Sequence, residues 1–225
     1  MGLTINWEVE FNGTIKQLQE KLEKIRQKCM DLPFKVVGKE VQIVKITQKV
    51  IDTWNELQKK YFYPNNTDEN LAKRDKEMEK LGVTTWQMVE AQNRKGLKPI
   101  VMVSLSLLPG DGCESANLNF LKEGRKFVCY SGCKTQYAEY FMQCHLLIIR
   151  LLDMLKEEGF TIVFVNDDGD YWETRDVEIL AKNINEETAM LGNVLGGLQQ
   201  LAKETGMTIE APIEKCKNYI KVDEN

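Results

Sequence analysis

The sequence predicts an α+β protein: a mainly antiparallel sheet with helices packed on it and a helical insert near residues 47–96. Three observations carry this. Strand-like segments outnumber the helices available to cross between parallel strands. Three such segments, starting near residue 99, follow one another with only tight turns between them. Ahead of them, the stretch from 47 to 96 has only helical spacing. A chain of 225 residues, 43% hydrophobic and 28% charged, can bury a core without disulfides or metal, and one domain over residues 1–225 is the expectation.

The first element alternates. Leu3, Ile5, Trp7, Val9 and Phe11 interleave with Thr4, Asn6, Glu8 and Glu10, the pattern of a strand buried on one face. Asn12-Gly13 turns the chain. Thr14-x-x-Gln17 forms a capping box, and Ile15, Leu18, Leu22, Ile25 and Cys29 line one side of the helix that follows. A second strand fits Lys39–Ile46, with Val41 and Ile43 inward. In the insert, Val50, Trp54, Leu57 and Tyr61 mark a helix, and 63–68 is a loop rich in Pro and Asn. Residues 68–81 carry few apolar positions and form an exposed helix ending at Gly82. Thr84-x-x-Gln87 opens a further short helix that stops by Gly96.

Pro99–Leu108, Ser115–Lys122 and Lys126–Ser131 form an antiparallel meander, with Ala116, Leu118 and Phe120 on one face. An apolar helix from about Tyr140 to Glu158 ends at Gly159, and Phe160–Val165 is a strand. A last helix is expected from Thr174 to Glu204, where Val177, Ile184, Leu191 and Leu198 recur every seven residues.

Net charge is −4, with acids and bases interspersed, so the basic footprint of a nucleic-acid binder is absent. No apolar run approaches the roughly 18 residues of a membrane span, and the alternating N-terminal stretch lacks a signal peptide's apolar block. The expectation is a cytoplasmic protein whose six cysteines are thiols. The cysteine and histidine spacings do not chelate zinc naturally, so neither a metal nor another cofactor is expected.

Three polar segments are candidates for a site. Gly110–Asn117 is a glycine-flexed loop presenting Cys113, Glu114 and Asn117; as Gly and Asp suit turns for steric reasons, an ordinary hairpin turn is the alternative. Ser131–Tyr137 joins a strand to a helix and offers Lys134, Gln136 and Tyr137. It lacks the glycine spacing of a nucleotide-binding loop, and Cys133 beside Lys134 is open to reading as an acidified thiol. Asn166–Asp176 brings Glu173, Arg175 and Asp176 beside Tyr171 and Trp172. Acids there also suit the positive end of a helix dipole, and the spacing is not that of a calcium-binding loop. Arg175 is expected to pair with a carboxylate and Trp172 to be largely buried. His145, the only histidine, shares a stripe with Phe141, Ile148 and Leu152 and faces the core or a pocket beneath it.

As a set, several blocks resemble a family of hypothetical bacterial proteins: Gly110-x-Gly112-Cys113-Glu114-x-Ala116-Asn117, Cys133-Lys134-Thr135-Gln136-Tyr137-Ala138, Cys144-His145-Leu146 and Gly169-x-Tyr171-Trp172-Glu173-x-Arg175-Asp176. Asp31-Leu32-Pro33-Phe34 with Val37-Gly38, and Leu151-Leu152-Asp153, belong to the same set. The stretch between Ala138 and His145 is shorter here than in that family. The resemblance implies one intact domain and brings no activity, cofactor or partner with it.

The leading functional expectation is a pocket for a small polar or anionic ligand, in a binding protein or an enzyme. Lys134 would supply charge, Glu114, Asn117, Gln136 and Tyr137 hydrogen bonds, and Glu173 or His145 any acid–base chemistry. The rival is a protein–protein interaction module docking through the helix at 68–81 and the heptad-like helix at 177–201. Convergence of the three polar segments on one concave site would favour the pocket.

Overall fold

The computed structural model describes residues 3–62, 67–135 and 141–184. The strands are β1 (Thr4–Asn12), β2 (Val36–Val37), β3 (Gln42–Ile46), β4 (Ile100–Leu108), β5 (Ala116–Glu123), β6 (Lys126–Lys134) and β7 (Thr161–Asp167). They form one sheet in the order β2-β4-β5-β6-β1-β7, with β3 also paired to β4. Every pairing is antiparallel, and β4, β5 and β6 form the expected meander. Helix α1 spans Ile15–Met30, α2 Gln48–Leu57 (continued by a wide turn over Gln58–Phe62), α3 Asp68–Lys80, α4 Thr85–Lys95, α5 Phe141–Glu157 and α6 Tyr171–Thr174. Thr14 and Thr84 cap α1 and α4 through reciprocal bonds with Gln17 and Gln87, as their capping boxes require.

Both faces of the sheet are covered. Ile5, Trp7 and Val9 of β1 pack with Leu105, Phe120 and Phe127 against Leu18, Leu22 and Ile25 of α1 and Ile148, Leu152 and Leu155 of α5. Trp7 is 1% exposed, in phase with its apolar neighbours. On the other face, Val44, Ile46, Met102 and Leu121 meet Val50 and Trp54 of α2, Met78 of α3 and Met88 and Ala91 of α4. The helical insert therefore roofs a second core. Even polar α3 contributes to it, burying Met78 and laying the Arg74 guanidinium 5.5 Å from the Trp54 ring.

Two elements differ from expectation. Val41 is buried in the first core but Ile43 is exposed; within β3 the inward residues are Val44 and Ile46, which belong to the second core. Alternation holds through this segment, with Val41 and Ile43 on the first-core side and Val44 and Ile46 on the insert side, but the first core does not cover Ile43 opposite Val103. The last helix does not run unbroken from Thr174. After α6, Arg175 adopts a left-handed backbone with φ 55°, and a second helix occupies 177–184. Asp176 caps that helix, its carboxylate accepting from the Glu178 amide at 2.8 Å. The heptad beyond Ile184 lies outside the described residues; within them Leu180 and Ile184 are buried and Val177 is exposed. Among the described residues, no helix is long and apolar enough to cross a membrane.

Candidate functional site

The three polar segments meet at the end of the sheet where β1 begins. The Glu114 amide donates to the Lys134 carbonyl at 2.9 Å, and the Lys134 amide donates to the Glu114 carboxylate at 3.3 Å, joining the first segment to the second. Thr135 donates its amide to the Leu3 carbonyl. The next residue, Thr4, exchanges bonds with Asp168, whose carboxylate accepts the Thr4 amide at 3.0 Å. Strand β1 thus stands between the second and third segments.

At this junction lies a buried trio. His145 of α5 places Nε2 2.9 Å from Oδ1 of Asp167 at the end of β7, and its Nδ1 lies 3.4 Å from the Thr135 hydroxyl. Thr135 and His145 have no exposed surface. The Asp167 carboxylate also accepts the Gly169 and Trp172 amides, each at 2.8 Å. Burial raises its proton affinity, but the hydrogen bond and charge of His145 and these two amides outweigh burial and hold its carboxyl below the usual range. Gly169 lies flat on the imidazole: a β-carbon there would come within 2.6 Å of Leu180 and 3.0 Å of His145 Nε2. The trio ties α5, β7 and α6 together, and these contacts seal it from solvent.

The remaining candidates divide. Arg175 forks onto Asp153 of α5 with bonds of 2.8 and 2.9 Å and stacks 4.5 Å from the half-buried Trp172 ring. Glu173 is exposed on α6, Asp176 is a cap and Lys134 ends β6. Gln136 and Tyr137 lie outside the described residues. Cys133 is not an acidified thiol. Burial, and then the charge of Glu114, push it up to about 12, and its sulfur donates to the Glu114 carbonyl. The five described cysteines are free, and Cys216 lies outside the described residues. Among the described residues, no group of three or more His, Cys, Asp or Glu side chains is placed to hold a metal ion.

A concave feature beside the first two segments lies on the other face of the sheet, between α4 and β5–β6. It is a cleft of about 530 Å³, reached by Glu114 and Asn117 and walled by Trp86, Glu90, Arg94 and Tyr130. Trp86 is 61% exposed and Tyr130 47%, unusual for large aromatics of a folded domain. A polar chain runs beneath. The Gln87 amide donates to the Ser104 hydroxyl at 3.4 Å, that hydroxyl donates to the Asn119 carbonyl oxygen at 2.5 Å, and the Asn119 amide donates to Glu90 at 2.6 Å. Arg94 donates to Glu90 at 3.2 Å, to Glu123 at 2.8 Å and to the Val128 carbonyl at 2.9 Å, and lies 4.7 Å from the Tyr130 ring. Burial pushes the Glu90 carboxyl up by more than Asn119 and Arg94 pull it back. Glu123, less buried, is lowered: its bonds to Arg94 and Lys95 win there. Two carboxylates sharing one guanidinium are thus driven apart in proton affinity.

Sequence reasoning identified Glu114 and Asn117 but missed Trp86, Glu90, Arg94, Asn119 and Tyr130. The available signal was Glu90-x-x-x-Arg94 on the same short helix as Trp86, a pattern that many solvated helices share. No family model, curated protein or solved structure matches the chain, so function has to be read from this geometry.

Proposed function

We propose that the protein binds a small polar ligand in the cleft between α4 and β5–β6. One observation carries the reading: the polar chain Ser104–Asn119–Glu90–Arg94 rises from the second core and opens between two solvent-facing aromatics. A core tolerates buried polar groups only when they are satisfied, and a purely structural role gives no reason for Trp86 and Tyr130 to stand uncovered at its mouth. Arg94 is already engaged by Glu90, Glu123 and Tyr130, so the cleft offers acceptors and amides more than free positive charge. A hydroxyl- or amine-bearing ligand suits it better than an anion. Glu90, Glu114 and Asn117 would hydrogen-bond it and Trp86 would stack on it. Burial raises the proton affinity of Glu90, which would suit it to proton transfer if the ligand reacts.

A thermal-shift screen with sugars, polyols, amines and amino acids tests this. A ligand at about a hundred times its Kd adds about 2.7 kcal/mol to the native state, roughly 5–10 °C in a domain of this size. Trp86→Ala removes an exposed side chain, so it should keep the parental Tm and lose the shift. No stabilising compound, or a shift that survives Trp86→Ala, overturns the proposal.

A second reading has one observation in its favour. Strand β7 is at the sheet's edge, pairing with β1, and exposes Val163 and Phe164, an edge suited to strand addition by a partner protein.

A further inference from the structure

A second concavity, of about 760 Å³, lies at the sheet end where β3 and α1 meet, and its chemistry is the reverse of the cleft's. Lys45 pairs with Val101 across β3–β4, and Lys122 pairs with Phe127 across β5–β6. One step beyond the Met102–Leu121 pair, Val101 and Lys122 stand side by side. Four strands therefore present one row, Lys45, Val101, Lys122 and Phe127, in which cations alternate with apolar groups. Phe127 belongs to the core beneath α1, so the row faces the α1 side. Ile15, the first residue of α1, borders the cavity, and α1 does not extend over the row.

The charge is one-sided. Three lysines line the cavity and no acid does, on a chain of net charge −4. Lys95 is matched by Glu123 at 3.2 Å, whereas among the described residues neither Lys45 nor Lys122 makes an ion pair. The first turns of α1 and α2, which both reach the cavity, carry no acid to offset their helix dipoles.

We infer that this cavity is a site for a monomeric anionic amphiphile, a carboxylate on an aliphatic chain. The head would lie between Lys45 and Lys122 and the chain on Val101, Ile100, Phe127 and Ile15. A volume of this size is within the usual range of about 300–1,000 Å³ for ligand pockets. The inference is independent of the cleft, which lies on the opposite face.

Dodecanoate, kept below its critical micelle concentration, is the probe, with binding read by calorimetry on the full chain. The expected result is saturable one-to-one binding that dodecylammonium does not reproduce. Both lysines are exposed, so Lys45→Glu/Lys122→Glu should retain the parental circular dichroism and weaken dodecanoate by about tenfold or more. Lys45→Arg/Lys122→Arg should restore it. Inorganic phosphate that binds as tightly as dodecanoate would show that the apolar floor is idle and overturn the inference. So would an absence of dodecanoate binding, or unchanged affinity in the double Glu variant. Cosedimentation with phosphatidylglycerol vesicles without binding of monomeric dodecanoate would mean a membrane surface is read instead, which also overturns it. None of these outcomes bears on the Trp86 cleft.

Discussion

Replacing Asp167 by Asn tests whether a carboxylate organises the junction of the three polar segments. Asp167 is isosteric with Asn and accepts the Gly169 and Trp172 amides at 2.8 Å while facing His145 Nε2 at 2.9 Å. Asn keeps one acceptor oxygen, so one backbone amide loses its partner and the charge facing the imidazole is gone. A hydrogen bond to a buried charged group contributes about 1.5–3 kcal/mol, and leaving a partner of a buried pair alone costs about 3–5 kcal/mol. A loss of about 3 kcal/mol is expected. With an m-value of about 2–3 kcal/mol/M, the urea midpoint should fall by about 1 M or more. Asp168→Asn is the control: exposed, and bonded to Thr4 and Asn166, it should cost under about 1 kcal/mol. The pH dependence adds a second check. The folded Asp167 carboxyl lies below its ordinary value, so its stabilisation is fully present above the unfolded value of about 3.9 and fades as pH falls through the folded one. The gap between parent and Asp167→Asn should be flat from about pH 7 to 5 and close only in more acidic solution. A gap of under about 0.5 kcal/mol at neutral pH would refute the reasoning. A gap that closes near neutrality would assign the titration to another group.

The Arg175–Asp153 clasp and the buried thiols give two further outcomes. Arg175→Ala should destabilise by about 1–3 kcal/mol in urea titrations, because it strips the fork from a half-buried Asp153, whereas Glu173→Gln, on an exposed side chain, should change stability by under about 0.5 kcal/mol; equal effects would dissolve the clasp. In denaturant without reductant six thiols should titrate, while in the native state at pH 8 Cys29, Cys129 and Cys133 should react slowly, since burial raises each to about 12; rapid native labelling of these three would refute their burial.

What could be read from the sequence and what could not have one physical cause. Alternation in β1 and the spacing of α1 report burial on a single face, and there residues and structure agree from Leu3 to Cys29. Strands β4 and β5 are buried on both faces, so Met102, Ser104, Asn119 and Leu121 are as enclosed as Val103 and Phe120. Read locally, Asn119 between Leu118 and Phe120 is an outward polar residue. It becomes an interior hydrogen-bonding group only because α4, some thirty residues earlier in the chain, covers that face with Glu90 directed at its amide. The exposure of Ile43 has a related origin: the face of β3 that packing covers is the insert's, where Val44 and Ile46 are buried. Residue type misled in the opposite direction at the turns. Glycines and acids gather in Gly110–Asn117 and Asn166–Asp176 because tight turns and helix caps need them, and Asp176 and Asp167 serve there as a cap and a clamp. A Glu–Arg pair four residues apart on a helix is ordinary by itself. Glu90–Arg94 becomes a candidate site through what the fold sets against it: Asn119 below, Glu123 and Tyr130 beside, and an uncovered Trp86 one turn away on the same helix. Local pattern reports which face of an element is buried, and a second layer of packing decides which polar residues face a cleft.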